Sequence, residues 1–137
     1  MTDKERRLSN IDKKYHCLFA DDDYVEVWWP RGWDKVVYDT LYELLSLHEE
    51  TGDLPEITTI KEKFGELRIY PKSFHNSNVL SLCSAATSLS RQVCQRCGLD
   101  DTSVQIRPVP ESSAIIASLC RSCGKGPEIE NTGSSGL

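Results

Sequence analysis

A chain of 137 residues is long enough for one domain, because domains cluster around ~100–150 residues. With 39% hydrophobic and 8% aromatic residues it can build a modest core, which a bound metal often supplements. No apolar run is long enough to cross a membrane, and the charged start MTDKERR is unlike a secretory signal. We therefore expect a cytoplasmic protein with no membrane partner.

The formal net charge of −5 is unevenly distributed. Residues 15–56 carry eleven carboxylates against two basic side chains, whereas residues 57–72 and 91–125 each carry two more basic than acidic groups. A general nucleic-acid binder depends on net positive charge against phosphates. The composition therefore favours a partner with a basic surface.

The first half of the chain predicts an arm, a strand and a helix. Residues 1–14 are highly polar and indicate a flexible N-terminal arm. Tyr24 to Trp29 is rich in strand formers and stops at Pro30. A helical stripe then begins, and Gly52 supplies the left-handed residue that ends it. The stripe consists of Trp33, Val37, Leu41, Leu44, Leu45 and His48.

Residues 56–72 predict a β-hairpin that turns at Phe64-Gly65, in one of two registers. A two-residue loop pairs Ile60 with Ile69 and Glu62 with Leu67, and places Lys61 opposite Arg68. A three-residue loop pairs Glu62 with Arg68 but scatters the apolar residues over both faces. Burying one aliphatic side chain is worth ~1.5–3 kcal/mol and a cross-strand charge pair only ~0.2–1 kcal/mol. We therefore predict the two-residue loop, with Lys61, Lys63 and Arg68 together on the exposed face.

The second half predicts another helix and two short strands. Asn76 or Ser77 can cap a helix that runs to about Arg91. Residues 104–107 and 114–117 have strand composition and are joined through Pro108 and Pro110. Residues 125–137 have almost no core side chains and are expected to be disordered.

These elements predict an α+β fold with two helices, a hairpin and a C-terminal metal-binding lobe. We place the α+β domain at residues 15–93 and the lobe, packed on it, at residues 94–124.

Four of the six cysteines form two C-x-x-C pairs, Cys94/Cys97 and Cys120/Cys123, with 22 residues between them. In a reducing compartment this spacing favours metal over disulfides. Four thiolates can surround one Zn²⁺ tetrahedrally at ~2.3 Å and leave no position for a catalytic water. Glycine follows each pair and permits the turn of a zinc knuckle. We predict one structural Zn²⁺, with Cys17 and Cys83 as surface or packing thiols.

No catalytic constellation is visible in the sequence. The three histidines, His16, His48 and His75, are far apart along the chain, and His48 lies on an apolar helical stripe. Glu62 and Glu66 flank a tight turn and are typical of a solvated hairpin. The sequence has no phosphate-binding glycine loop and no nucleophile elbow. We expect a protein that is not an enzyme and has no small-molecule substrate.

Two partner surfaces remain as alternatives. In the first, Trp28 and Trp29 anchor a protein partner beside the acidic run Asp21, Asp22, Asp23, because tryptophan is common at interface hot spots. In the second, the cations of the hairpin and the knuckles bind nucleic acid, as in many zinc ribbons. Those cations are Lys61, Lys63, Arg68, Arg96 and Arg121.

The order of motifs resembles that of small phage and prophage proteins. It comprises Gly32-Trp33, the stretch IKEKFGELRIY (residues 60–70), then a helix leading to the two C-x-x-C pairs, and it covers about residues 31–124. The KEKFG-x-LR-x-Y part is specific, whereas the cysteine pairs alone are not. The resemblance implies no activity. It implies an accessory protein in the host cytoplasm that acts on a host protein or complex, such as defence or nucleic-acid-processing machinery.

The chain departs from that pattern after its last cysteine. In similar proteins the second ligand pair starts a helix, as in treble-clef zinc sites. Here GKGP (residues 124–127) follows and would stop a helix. The sequence therefore predicts either a zinc ribbon or a shortened treble clef.

Overall fold

The computed structural model describes residues 2–21, 24–72 and 75–124. No helix in these ranges is both long and apolar enough to span a membrane. The helices and strands in chain order are α1 (Asp3–Arg7), β1 (Glu26–Val27), α2 (Asp34–Thr51), β2 (Ile57–Lys63), β3 (Glu66–Pro71), α3 (Ser77–Ser90), β4 (Gln105–Val109), β5 (Ser112–Leu119) and the helical turn α4 (Arg121–Gly124). The result is an α+β fold, as the sequence predicted, but with two short helices, α1 and α4, in addition to the two predicted ones.

The N-terminal segment differs from the flexible arm predicted for residues 1–14. Thr2 and Glu5 form a reciprocal capping box at the start of α1. Leu8 is fully buried and Ile11 is nearly so, and both belong to the main hydrophobic core. Two apolar side chains in an otherwise polar stretch therefore anchor this segment.

The strand predicted over residues 24–29 is shorter, since β1 covers only Glu26 and Val27. It pairs in parallel with β2, which gives a three-stranded sheet in the order β1-β2-β3. The N–H of Trp28 adds one more bond, to the carbonyl of Ile60 at 2.9 Å. Pro30 has no N–H with which to extend the ladder.

Helix α2 confirms the predicted stripe and its end. Val37, Leu41 and Leu44 are fully buried, and Gly52 caps the helix with φ 82°. Its N–H donates to the carbonyl of His48 at 2.7 Å. An L side chain rarely adopts this backbone conformation, so glycine is suited to the position.

The hairpin has the predicted two-residue loop and register. Ile60 pairs with Ile69, Glu62 with Leu67, and Lys61 with Arg68. Phe64 and Gly65 have φ values of 55° and 83°, as a type I′ turn requires. Ile57, Ile60, Leu67 and Ile69 consequently enter the core from one face of the sheet.

Helix α3 begins at its predicted cap and protects the edge of the sheet. Asn76 accepts hydrogen bonds from the N–H groups of Asn78 and Val79. At the other end, Thr87 Oγ1 donates to the carbonyl of Leu67 at 2.6 Å, and the N–H of Leu67 donates to Ser90 Oγ at 3.0 Å. The helix thereby satisfies the outer backbone groups of β3 at this residue.

The C-terminal lobe has its own small core. Antiparallel β4 and β5 precede α4, and the buried side chains Val104, Ala117 and Leu119 pack with the cysteines. Both strands extend beyond their predicted bounds, and Pro108 lies inside β4 rather than in the connection. β4 is an edge strand, where proline is tolerated. The tail predicted to be disordered, residues 125–137, lies outside the described residues.

Candidate metal centre

The sulfur atoms of Cys94, Cys97, Cys120 and Cys123 all lie within 4.8 Å of one another. The Sγ atoms of Cys97 and Cys120 are 3.7 Å apart. A tetrahedron with metal–sulfur bonds of ~2.3 Å has sulfur–sulfur edges of about 3.8 Å. A disulfide would require about 2.05 Å, and all six cysteines are free. The cluster is therefore compatible with a single metal site made from the four predicted residues.

The first cysteine pair lies in a tight turn that leads out of α3. The N–H of Gly98 donates to the carbonyl of Cys94 at 2.8 Å, and the N–H of Cys94 donates to the carbonyl of Leu99 at 2.8 Å. Gly98 has φ 83°, a value that the turn requires and that glycine adopts without strain. This turn brings both sulfur atoms to one side of the backbone.

The second pair lies where β5 ends and α4 begins. The N–H of Cys123 donates to Cys120 Sγ at 3.4 Å, and the N–H of Gly124 donates to the carbonyl of Cys120 at 3.0 Å. Arg107 braces this turn, because its Nε donates to the carbonyl of Leu119 at 3.1 Å. One helical turn is enough to direct both sulfurs toward the first pair.

The electrostatics of the cluster favour a bound cation. Burial raises the pKa of Cys94, but N–H donors from Cys120, Cys97 and Arg96 outweigh it and lower that pKa to about 6. Burial, and then hydrogen bonds with the neighbouring thiols, raise the pKa of Cys123. Four adjacent thiols cannot all ionise without a positive charge between them, and a divalent metal supplies that charge.

The knuckle packs directly on the start of α2 through Gly32. The N–H of Gly32 donates to the carbonyl of Gln95 at 2.9 Å. A Cβ at Gly32 would lie 2.2 Å from the carbonyl oxygen of Cys94, so no larger residue fits. Next to it, the buried Trp33 donates from Nε1 to the carbonyl of Val93 at 2.9 Å. Gly32 and Trp33 therefore form the surface on which the C-terminal lobe packs.

The tip of the β2–β3 hairpin forms the second contact with the lobe. The buried Ser118 donates from Oγ to the carbonyl of Gly65 at 2.5 Å. Gln95 makes two hydrogen bonds with Ser118. Its N–H donates to the carbonyl of Ser118 at 2.9 Å, and its Oε1 accepts from the N–H of Ser118 at 2.9 Å. The hairpin, the knuckle and β5 consequently form one hydrogen-bonded junction.

The two remaining cysteines lie apart from the cluster. Cys83 is buried in α3 against the main core, and burial raises its pKa to about 11. Cys17 is exposed, and its Sγ lies 3.8 Å from the carbonyl of Lys14. They are a packing thiol and a surface thiol, as the sequence predicted.

No protein-family model, curated protein or solved structure matches this chain.

The three tryptophans, two of which are the predicted anchors Trp28 and Trp29, occupy three different environments. Trp33 is fully buried, Trp29 is half-buried and donates from Nε1 to Asp34 at 2.7 Å, and Trp28 is 61% exposed. Trp28 and Trp29 line an open groove of about 440 Å³ together with Pro30 and Tyr38.

The predicted acidic run is only partly described. Asp21 is exposed and pairs with Lys4 at 2.8 Å, whereas Asp22 and Asp23 lie outside the described residues. On the hairpin, Lys63 is exposed and Lys61 is half-buried. Arg68 is half-buried and donates to Glu66 at 2.8 Å, so it is less accessible than the sequence predicted.

Sequence reasoning overlooked Tyr42, which is 59% exposed on α2. It lies opposite the buried stripe, among the exposed carboxylates Asp39, Glu43 and Glu49. The sequence did contain a signal for this residue, because an aromatic side chain stands on the polar face of a predicted helix.

Proposed function

We propose that this protein is a zinc-stabilised, non-enzymatic accessory protein of phage type that binds a basic region of a host protein. Zinc holds the C-terminal lobe in place, and the outer face of α2 makes the contact. The observation that carries this proposal is an acidic helical face with an exposed aromatic residue at its centre. The resemblance to phage proteins is the reason to expect that the partner is a host protein.

The donor set favours zinc. Four thiolates in a tetrahedral arrangement suit Zn²⁺, and iron–sulfur sites are the other common use of such ligands. With four protein ligands the coordination shell is full, which is the pattern of a structural site rather than a catalytic one. Arg96 lies beside the site and offsets part of the negative charge of the thiolates.

Within this proposal the lobe is a shortened treble clef. A knuckle, a two-stranded hairpin and a helical turn follow one another, and the second ligand pair brackets the start of that turn. A zinc ribbon would instead take its second pair from another knuckle between strands. Because α4 is a single turn, the helix-stopping sequence GKGP after Cys123 is consistent with this fold.

The face of α2 has the chemistry of a docking surface for a cationic partner. Its exposed positions include Asp39, Glu43, Glu49 and Glu50, and Lys35 is paired with Asp39 at 2.6 Å. Tyr42 lies among them with an amphipathic ring of the kind enriched at interface hot spots. Complementary charge would steer a basic partner and raise its association rate.

Affinity capture from a host lysate, followed by titration calorimetry with the purified captured protein, tests this function. We expect Tyr42→Ala to weaken binding by about 30-fold or more, as for a hot-spot residue. Glu43→Lys should weaken it further at low salt. The matched control is Glu26→Lys, which changes an exposed carboxylate on the face of the sheet that points away from α2. It should leave affinity unchanged.

Two results would contradict the proposal. One is that no protein is captured specifically. The other is that the captured protein binds the Tyr42→Ala and Glu43→Lys variants as well as it binds the wild type.

A further inference from the structure

The face of the three-stranded sheet that points away from the core combines aromatic and basic side chains. Along β2 and β3 these outward positions are Thr59, Lys61, Lys63, Glu66, Arg68 and Tyr70, and each is half-buried or exposed. They alternate with the buried side chains Ile60, Leu67 and Ile69. This surface, which we call the open sheet face, is separate from the acidic face of α2.

One row of the open sheet face contains an aromatic ring and two cations. Lys61 lies opposite Arg68 on the neighbouring strand. On the other side, Glu26 is aligned with Thr59 and Val27 with Ile60, so the register places Trp28 beside Lys61. Neighbouring strands are ~4.8 Å apart, so the backbone positions of Trp28 and Arg68 lie about 10 Å apart across the sheet.

A network of hydrogen bonds holds Arg68 in place at this face. Arg68 donates to Tyr70 Oη at 3.2 Å and to Glu66 at 2.8 Å, and Arg91 donates to the second oxygen of Glu66 at 2.5 Å. Glu66 thus pairs with two guanidinium groups, so its single negative charge neutralises only one of their two positive charges. Lys63 adds a further cation next to the ring of Phe64, 5.8 Å from its centroid.

We infer that the open sheet face binds single-stranded nucleic acid. Proteins that bind single strands combine aromatic side chains, on which bases stack, with cations that follow the phosphate backbone. Trp28 is the stacking platform, and Lys61, Lys63 and Arg68 contact phosphates. A duplex, whose bases are already stacked, offers Trp28 no base. Because the acidic α2 face is a different surface, this inference does not depend on the proposed protein partner.

Fluorescence anisotropy with labelled 20-nucleotide oligo-dT and oligo-U, from about 20 to about 150 mM NaCl, tests the inference. With three phosphate contacts, the slope of log K against log salt should be about −2, since single strands give about −0.7 per contact. Lys61→Ala should reduce the slope by about 0.7. Lys35→Ala, on α2, is its matched control and should leave the slope unchanged.

The contribution of stacking is tested by Trp28→Ala against Tyr42→Ala, which remove aromatic rings that are 61% and 59% exposed. Trp28→Ala should weaken oligonucleotide binding by about 5- to 150-fold, the value of one base–aromatic stack, and Tyr42→Ala should have no effect. Thermal melting of both variants confirms that they are folded. Absence of binding at about 20 mM NaCl, or equal losses in the two variants, would overturn the inference.

Discussion

The backbone N–H of Gly32 and the carbonyl oxygen of Gln95 join the start of α2 to the metal knuckle across a 2.9 Å hydrogen bond. Gln95 lies between Cys94 and Cys97, so the contact is made by the turn that carries two of the candidate metal ligands. A second bond, from Ser118 to Gly65, ties the hairpin tip to the same lobe. Two distant parts of the chain therefore pack on the lobe that carries the four-cysteine cluster.

The close approach at Gly32 leads to the first prediction. Gly32→Ala would place a Cβ 2.2 Å from a backbone oxygen, and backbone cannot move aside as a flexible side chain can. We expect the free energy of unfolding in urea to fall by more than about 3 kcal/mol, at or above the usual cost of overpacking.

Gly52→Ala is the control for that substitution. Gly52 has positive φ, but nothing lies within 4 Å of its added Cβ. Its cost should therefore be only the backbone strain, of about 1 kcal/mol. Equal costs at the two positions would show that the contact at Gly32 is not tight.

The buried hydroxyl of Ser118 leads to the second prediction. Ser118→Ala removes the donor to Gly65 and leaves a carbonyl at the hairpin tip without this partner. Losing one partner of a buried hydrogen bond costs ~1–3 kcal/mol. Ser113→Ala, on the same strand but exposed, should change the midpoint of urea unfolding little. Similar midpoints for the two variants would contradict the junction.

The Glu66 network predicts a specific dependence on pH. Hydrogen bonding from Arg91, and then from Arg68, holds the pKa of Glu66 below its ordinary 4.5, although burial acts in the opposite direction. A lowered pKa contributes stability that is present above about pH 4.5 and is lost as the pH falls through the folded-state pKa. The difference in unfolding free energy between wild type and Glu66→Gln should therefore shrink on acidification.

Urea titrations at intervals from about pH 6 to about pH 3 measure this difference. Glu43→Gln, an exposed carboxylate on α2, is the control and should differ little from wild type over the whole range. A gap between wild type and Glu66→Gln that stays constant down to about pH 3 would contradict the ion-pair network.

Local patterns in the sequence were sufficient for the hairpin, for α2 and for the four cysteines. The hairpin register follows because burying Ile60, Leu67 and Ile69 outweighs any charge pairing. The clustering of the four cysteines follows because C-x-x-C spacing places two sulfurs on one side of a turn. These features depend on residues that are close together in the chain.

Contacts between distant segments were not predictable in the same way. Nothing in the neighbourhood of Gly32 indicates that a knuckle more than sixty residues away lies against it. Leu8 and Ile11 are too few to form a periodic pattern, yet they complete the core. Trp28 becomes part of the open sheet face only because β1 pairs in parallel with β2.

Metal analysis of the purified chain, combined with amide hydrogen exchange, tests whether one zinc ion held by four sulfurs orders residues 94–124. We expect one zinc per chain and protected amides in β4 and β5. Cys97→Ser or chelation should remove both, and Cys17→Ser should remove neither. A metal-free chain, or one holding another metal, with the same protection in β4 and β5 would show that zinc does not order this lobe.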